Sequence, residues 1–196
     1  MWINKIKGLI VRLVRFIYTN NHLVIASIKA SNRGVTPYDE NIVKLSALGS
    51  ALIDSMTFLS IETKNSVIKE LNKGSTVYLY LDETKEVMHY SCLTNSVIIG
   101  EIKKKIYMVD GDAYIYNCFT EKEYRGRGLY PKTLSHILNS AEFNHYYIAC
   151  IFSNVASRKV IDRFGFIYQS HIYYYCLLGV AFSVTSNRQF YKDFFK

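Results

Sequence analysis

The sequence predicts one α/β domain built on a mixed sheet, and three observations support that class. Hydrophobic residues make up 49% of the 196 positions and charged residues 20%, a balance that excludes a disordered chain. Only 10 glycines and 2 prolines are present, too few for a linker-dominated or collagen-like chain. In the second half of the chain, strand patterns alternate with helical ones, which is typical of α/β units. We therefore assign residues 1–196 to a single domain.

In the first half of the chain, apolar residues are spaced mostly as in helices up to residue 72 and as in strands after it. Apolar residues recur every three or four positions from Ile3 to Ile17, which predicts a basic amphipathic helix at the N-terminus. A similar stripe from Ile42 to Leu52 predicts a helix that begins after Asp39. The expected elements, in order, are a helix over 1–21, a strand over 22–28, a loop over 32–39, helices over 39–55 and 63–72, and a hairpin of strands over 76–82 and 86–94.

The second half shows shorter segments with clear turn signals. Asp110 and Gly111 form a turn before a firm strand, and weaker strand patterns precede that turn. The expected elements, in order, are weak strands within 96–108, a strand over 112–120, a helix over 130–144, a strand over 145–152, a helix over 157–164, and strands over 166–178 and 180–185.

The positive charge is concentrated near the N-terminus. The net charge is +8, and residues 1–38 hold six basic residues and no acidic one, which leaves 18 basic against 16 acidic residues elsewhere. A body this balanced argues against a nucleic-acid-binding face, so no nucleic-acid partner is expected. Two interpretations of the N-terminal helix stay open. It packs on the domain, or it makes a peripheral contact with an anionic membrane surface.

Cysteine and histidine usage favours unpaired thiols. The four cysteines lie 26 to 32 residues apart, each in an apolar or aromatic run, and none forms a C-x-x-C pair. Free cysteines of this kind behave as small buried hydrophobic residues in a reducing compartment. The five histidines form no cluster in the sequence, so no metal is expected.

The most informative segment runs from Tyr124 to Pro131, where a strand leads into a helix. Gly126 and Gly128 permit positive φ angles and a close ligand approach. The backbone amides at the start of the helix would face an anion, and Arg125 and Arg127 add positive charge for a phosphate. The alternative is an ordinary glycine-rich turn. The segment lacks both the Gly-Lys-Ser/Thr of a Walker loop and the third glycine of a dinucleotide fingerprint.

Together with Asn154, Ser157 and the pair Gly165-Phe166, this loop resembles the GNAT superfamily of acyl-CoA-dependent N-acyltransferases. In that family an Arg/Gln-x-x-Gly-x-Gly/Ala loop surrounds the CoA pyrophosphate, an asparagine further on contacts the pantetheine arm, and a short helix ends in Gly-Phe. The resemblance covers residues 75–178. This chain departs from the loop pattern at its last position, where Tyr130 stands in place of Gly or Ala.

The resemblance implies a mixed, mostly antiparallel central sheet with helices on both faces and two splayed parallel strands, over 112–120 and 145–152, that hold CoA. A backbone N–H near Phe119 would polarise the thioester carbonyl. The implied CoA-binding residues are Cys118, Phe119, Thr120, Arg125, Gly126, Arg127, Gly128, Leu129, Tyr130, Asn154 and Ser157.

The catalytic residues are less clearly marked. The tyrosine that often serves as general acid in this family is replaced by Ile161, seven residues after Asn154. Asp112 and Tyr116 share one face of a predicted strand with the position where some members carry a glutamate base. Asp112, Tyr116 and Asn154 are therefore the candidate catalytic residues, with solvated or buried structural roles as the alternative.

The expected function is transfer of an acetyl group from acetyl-CoA to a primary amine of a small molecule in the cytoplasm. Similarity to members associated with surface polysaccharide points to an amino sugar, and tyrosines along 78–116 would suit a sugar platform. Alternatives are a polyamine or protein amine as acceptor, and a degenerate CoA-binding protein without activity. A homodimer and attachment of the protein to a membrane also stay open.

Overall fold

The computed structural model describes residues 18–30, 39–46 and 52–195. These residues fall into two compact units, which we describe separately. The central unit comprises the described residues of 28–96 together with 108–148, and the terminal unit comprises 18–27, 97–107 and 149–195.

The described residues contain eleven strands and four helices. The strands are β1 (Tyr18–Lys29), β2 (Ile42–Leu45), β3 (Thr57–Phe58), β4 (Thr76–Leu81), β5 (Glu86–Thr94), β6 (Ser96–Ile99), β7 (Lys104–Tyr107), β8 (Asp112–Thr120), β9 (His145–Ile151), β10 (Ile167–Leu177) and β11 (Val180–Thr185). The helices are α1 (Ile61–Asn72), α2 (Leu129–Asn139), α3 (Val155–Arg163) and α4 (Arg188–Phe194).

The central unit is built on a mostly antiparallel sheet. Its strands follow the order β9-β8-β5-β4-β2, and β3 lies beside β5. The pairs β2–β4, β4–β5 and β5–β8 are antiparallel, whereas β8 and β9 run parallel, as do the two residues of β3 with β5. Consecutive side chains of β5 contact different helices, His89 the ring of Tyr130 in α2 and Tyr90 the hydroxyl of Ser66 in α1. Because side chains alternate across a strand, these two helices cover opposite faces of the sheet.

Local sequence explains why α1 begins and ends where it does. The Ser60 hydroxyl accepts a hydrogen bond from the Thr63 amide at 3.1 Å, which caps the first turn. At the other end Gly74 adopts φ +82° and its amide donates to the Leu71 carbonyl, as the Lys73-Gly74 pair predicts. Val67 and Leu71 are buried against Val77 and Leu79 of β4, which holds the helix on the sheet.

The terminal unit is organised around a second antiparallel group of strands, in which β10 pairs with β1 on one side and with β11 on the other. The ring of His22 lies between Phe152 and Tyr173, with centroids 4.3 and 4.2 Å away. Its Nε2 lies 3.0 Å from Nδ1 of His171, and burial and the neighbouring His171 lower the pKa of His22.

Two predicted helices differ from the structure. The helix predicted over 39–55 is wrong at Ile42–Leu45, which form a strand because that segment pairs with β4, with Ile42 opposite Tyr80. Residues 47–51 lie outside the described residues, and 52–55 form a short 3-10 turn. The helix predicted over 130–144 ends at Asn139, since Ala141 adopts φ +48° and residues 141–144 lead into β9.

The predicted N-terminal helix falls largely outside the described part of the chain. Residues 1–17 lie outside it, as does most of the loop predicted over 32–39. Residues 18–21, predicted as the end of that helix, belong to β1 because they pair with β10, with Tyr18 opposite Leu177. The strand predicted over 22–28 is confirmed and is longer, spanning Tyr18–Lys29.

Candidate functional site

The pairing between β8 and β9 stops partway along β8. The four paired positions run from Asp112 opposite His145 to Ile115 opposite Ile148. β8 continues to Thr120, five residues beyond the last paired position. Residues 113–115 are buried, whereas 116–120 are all partly or fully exposed. Residues 116–120 of β8 therefore offer a strand edge to an extended ligand. The resemblance to the GNAT superfamily implies such an edge between two splayed parallel strands.

A β-bulge lies in residues 116–120 of β8, the half that pairs with β5 but not with β9. Tyr116 is opposite Cys92 and Phe119 is opposite Tyr90, so Asn117 and Cys118 together face the single residue Ser91. Asn117 adopts φ +48°, a left-handed conformation that asparagine tolerates better than most residues. Bulges interrupt the ladder and turn backbone groups out of it. This bulge lies directly before Phe119, whose neighbourhood is predicted to donate to a thioester oxygen.

The glycine-rich loop leaves a set of backbone amides without acceptors. Gly126 and Gly128 adopt φ +81° and +72°, and Gly128 precedes the first residue of the 11-residue helix α2. No hydrogen bond in the described part of the chain uses the amides of residues 126–129. A Cβ atom added at either glycine would meet no atom within 4 Å apart from its neighbours in the chain. The loop therefore presents donors and open space at a helix N-terminus, a combination that suits a pyrophosphate.

The two loop arginines are held at the surface by ring contacts. Arg125 donates from Nε to the Thr120 carbonyl at 3.1 Å, and its guanidinium lies 5.9 Å from the Phe119 ring. Arg127 lies over Tyr124, 4.9 Å from the ring centroid. Both arginines are exposed. They thus add positive charge beside the free amides and the end of β8.

On the α2 side of the sheet, a buried histidine joins β5 to the end of β8. His89 is 1% exposed, and its two ring nitrogens lie 2.7 Å from the Thr120 hydroxyl and 2.8 Å from the Ser91 hydroxyl. Burial lowers the pKa of His89 to about 3, so the ring is neutral near pH 7. Burial also raises the pKa of the neighbouring Cys118 thiol to about 11, which leaves it protonated and a poor nucleophile.

On the α1 side, a row of hydrogen-bonded polar groups lies between the helix and the sheet. Thr63 donates to Glu121 at 2.6 Å, and the hydroxyls of Ser66 and Tyr90 lie 2.9 Å apart. These contacts, together with the Glu70 cluster described next, form the α1 polar row. Thr63, Ser66 and Glu70 recur at helical spacing, so a polar stripe on the inner face of a helix is the signal that could have revealed it.

Glu70 is an acidic member of the α1 polar row. It is 5% exposed, accepts a hydrogen bond from the Tyr116 hydroxyl at 2.7 Å, and is paired with Lys73 at 2.8 Å. The Ser75 hydroxyl lies 2.7 Å from the same Tyr116 oxygen. Burial and the hydrogen bond to Glu70 raise the pKa of Tyr116, so this phenol is neutral. Sequence reasoning did not identify Glu70, Ser66 or His89, and it considered Tyr90 only for a sugar platform.

The two candidate catalytic residues on β8 lie at the start and in the middle of the strand. Asp112 is at the start, where its carboxylate lies 3.0 Å from Nδ1 of His145. Five residues separate it from the bulge at Asn117, about 17 Å along an extended strand. Tyr116 directly precedes the bulge and is partly exposed. The half of β8 that does not pair with β9 therefore contains Tyr116 and not Asp112. The catalytic role of each residue stays a prediction.

The remaining predicted residues belong to the terminal unit. Asn154 precedes α3, and its side chain caps the helix by accepting from the Ser157 amide at 3.1 Å. Ile161 is 1% exposed, and Gly165 adopts φ +76° where the helix ends.

Of the tyrosines considered for a sugar platform, Tyr78, Tyr80, Tyr90 and Tyr114 are buried and belong to the core. Of that set, Tyr116 is the partly exposed one.

Comparisons with known proteins agree with this architecture. No family model and no curated protein matches the chain. A conserved protein of unknown function from Staphylococcus epidermidis matches with a TM-score of 0.53 and 13% identity, over 86% of this chain and 65% of its own length. An acetyltransferase named for the GNAT family, from Novosphingobium aromaticivorans, matches with a TM-score of 0.51 and 14% identity, over 77% of this chain and 61% of its own.

A Drosophila protein matches with a TM-score of 0.53 and 11% identity, over 91% of this chain and 58% of its own length. The chain thus spans less than two thirds of each of these three structures. At such identities the likeness concerns the fold alone, which is similar to that of the Novosphingobium acetyltransferase named for the GNAT family. The predicted mixed, mostly antiparallel sheet with two parallel strands and helices is confirmed.

No helix among residues 18–30, 39–46 and 52–195 is long and apolar enough to cross a membrane. Within the same ranges, no group of three or more histidine, cysteine, aspartate or glutamate side chains is placed to hold a metal ion.

Proposed function

We propose that the protein is an acyl-CoA-dependent N-acyltransferase that moves an acetyl group from acetyl-CoA to a primary amine of a small molecule. One observation carries the proposal. β8 runs five residues past its pairing with β9, contains a bulge there, and leads into a glycine-rich helix start with unbonded amides. A strand edge, a bulge and an anion-binding turn in succession fit a ligand with an extended arm attached to a pyrophosphate.

The residues present fit CoA by charge and by space. Residues Arg125–Tyr130 would hold the pyrophosphate through backbone amides and arginine charge, with Tyr130 contributing only its backbone. The backbone of Cys118–Thr120 would pair with the pantetheine arm. Asn154 and Ser157 are further contacts that rest on the resemblance alone. When bound, acetyl-CoA supplies an acyl group activated as a thioester.

The chain itself would supply polarisation and proton transfer. A backbone N–H near Phe119 donates to the carbonyl oxygen on which negative charge develops. The attacking amine loses a proton. Because the neutral Tyr116 phenol donates to the buried Glu70, it would take the proton of the amine only as its own proton passes to the Glu70 carboxylate, and it lies nearer the bulge than Asp112 does. Direct transfer is favoured over an acyl-cysteine because the Cys118 thiol, with its pKa raised to about 11, is protonated.

The acceptor, the cellular compartment and a membrane contact are further parts of this proposal. An amino sugar for surface polysaccharide is the proposed acceptor, on the resemblance alone, and polyamines and protein amines are the alternatives. All four cysteines are unpaired, which supports a reducing compartment such as the cytoplasm. Peripheral membrane contact is proposed only for the basic N-terminal segment, which lies outside the described residues.

A second candidate function is a CoA-binding protein without transferase activity. It is favoured by Ile161, a buried aliphatic residue at the position where the resemblance implies a tyrosine acid. The deciding experiment incubates the protein with acetyl-CoA and an amino-sugar nucleotide, spermidine or a short peptide, and measures acetylated product by mass spectrometry. The enzyme hypothesis predicts product and free CoA in equal amounts. CoA binding without product from any acceptor supports the second candidate.

A further inference from the structure

The hairpin of β10 and β11 in the terminal unit exposes an unusual amount of apolar surface. The exposed side chains share one short stretch of sequence and are Leu177 (55%), Leu178 (63%), Val180 (72%), Phe182 (56%) and Val184 (55%). Tyr173, on the same strand pair, is 37% exposed. Contiguous apolar patches of this kind on a folded unit mark interaction sites.

The hairpin also carries no charge. Residues 172–187 contain no Asp, Glu, Lys or Arg, although such residues make up 20% of the whole chain. Exposed edge strands are normally protected from pairing by charges, proline or a bulge. β11 has no charge and no proline, and its register with β10 is continuous from Val180 to Thr185. β11 therefore lacks these three devices against edge pairing.

β11 is an edge strand, with β10 as its neighbour in the described sheet. The amide of Ser186 donates to the carbonyl of His171 at 3.0 Å, which fixes the phase of the ladder. Because backbone groups alternate in direction along an antiparallel strand, those of Ala181, Ser183 and Thr185 point away from β10. These three residues present a row of backbone donors and acceptors at the edge.

We propose that β11 pairs in antiparallel fashion with β11 of a second copy of this chain. A two-fold axis places the same strand against itself, which requires a surface that is complementary to its own copy. An uncharged edge meets this requirement without like-charge repulsion, even though each copy carries a net charge of +8. The hairpin has no basic residue with which to attract an anionic membrane or an acidic protein, so a second copy is the partner it fits.

Strand pairing brings Phe182 and Val184 of the two copies onto one shared face. Phe182 already stacks on Tyr175 across the hairpin, with ring centroids 5.2 Å apart, so the edge is stiffened before association. The pairing adds backbone hydrogen bonds at Ala181 and Ser183 to the burial of these side chains.

The test is the mass of the purified full chain in solution, by light scattering and sedimentation, over a protein concentration series. We expect a dimer for the wild type, a monomer for Phe182→Lys at concentrations where the wild type is dimeric, and a dimer for the control Val109→Lys. Val109 is 72% exposed in the central unit, so the control adds the same charge at a similarly exposed apolar site.

A second variant separates strand pairing from simple apolar contact. Ser183→Pro removes an outward N–H while keeping the apolar side chains, and we expect it to be monomeric with circular dichroism like that of the wild type. A monomeric wild type, a dimeric Phe182→Lys or a dimeric Ser183→Pro would each overturn the proposal. So would a monomer that binds phosphatidylcholine vesicles through this hairpin.

Discussion

At the scale of single residues, the candidate site depends on positions where the backbone leaves its regular path. Asn117 adopts φ +48° in the bulge of β8, and Gly126 and Gly128 adopt positive φ in the loop before α2. These conformations free backbone donors that a regular strand or helix would use internally. Side chains matter here mainly where they hold the loop or accept a proton.

The first prediction concerns Gly128. Replacement by Asp adds strain at φ +72° and a negative charge beside the free amides, so we expect the Kd for acetyl-CoA to rise at least 100-fold. Calorimetry measures it. Gly74→Asp is the matched control, because Gly74 has φ +82° and open space but lies at the end of α1. Equal losses of affinity in the two variants would contradict the loop assignment.

The second prediction separates the two candidate residues for proton transfer on β8. We expect Tyr116→Phe to lower kcat by about 100-fold with little change in KM for acetyl-CoA, because it removes the hydroxyl next to the bulge. Asp112→Asn should leave kcat within about threefold, since Asp112 is bound to His145 at the far end of the strand. Steady-state kinetics on an accepted amine decide the matter, and the reverse ranking would assign the role to Asp112.

At the scale of elements, the sequence predicted the strands and the loop that position the site better than it predicted the contacts between them. The bounds of β8 agree with the predicted 112–120, because a turn at Asp110-Gly111 and a run of aromatic residues mark that strand locally. The segment Ile42–Leu45 has apolar residues at helical spacing, yet it forms a strand because β4 offers it a partner. Pattern alone cannot supply that long-range pairing.

The buried polar contacts were missed for the same reason. Glu70 and Tyr116 are 46 residues apart, and His89 and Thr120 are 31 apart. Nothing in the neighbourhood of either residue in sequence indicates its partner. The strand opening was expected only from the family resemblance, whereas the bulge opposite Ser91 appears only once β5 and β8 are aligned.

The third prediction concerns the stability of the β5–β8 pair against pH. Burial lowers the pKa of His89 from 6.5 to about 3, so below pH 6.5 the unfolded chain binds a proton that the folded chain does not. The contribution of neutral His89 to the free energy of unfolding is therefore fully present above pH 6.5 and is lost as pH falls towards 3. From this group alone, the free energy of unfolding should fall by about 2 kcal/mol between pH 7 and pH 5.

Urea unfolding at the two pH values tests this prediction. In His89→Gln that pH-dependent loss should disappear, although the variant is less stable at pH 7. Ser91→Ala is the control, since it removes one hydrogen bond to the ring and should lower stability while keeping the pH dependence. An unchanged loss in His89→Gln would show that His89 does not titrate in this way.

At the scale of the whole molecule, the fold and the proposed activity rest on different features of the chain. The mixed, mostly antiparallel fold follows from the sheet order and is similar to that of an acetyltransferase named for the GNAT family, whereas the proposed use of acetyl-CoA rests on the strand edge, the bulge and the glycine-rich loop. A ligand that binds only the folded chain stabilises it by mass action. Acetyl-CoA at 100 times its Kd should add about 2.7 kcal/mol, which is a rise of roughly 5–10 °C in Tm for a chain of this length.

Calorimetric titration of the wild-type chain with acetyl-CoA tests the central claim most directly. We predict one binding site per chain, a Kd between about 1 μM and 1 mM, and a matching rise in Tm. The heat should vanish in Gly128→Asp and persist in Gly74→Asp. Absence of both binding heat and a Tm shift at millimolar acetyl-CoA, in a chain that is shown to be folded, would contradict the account.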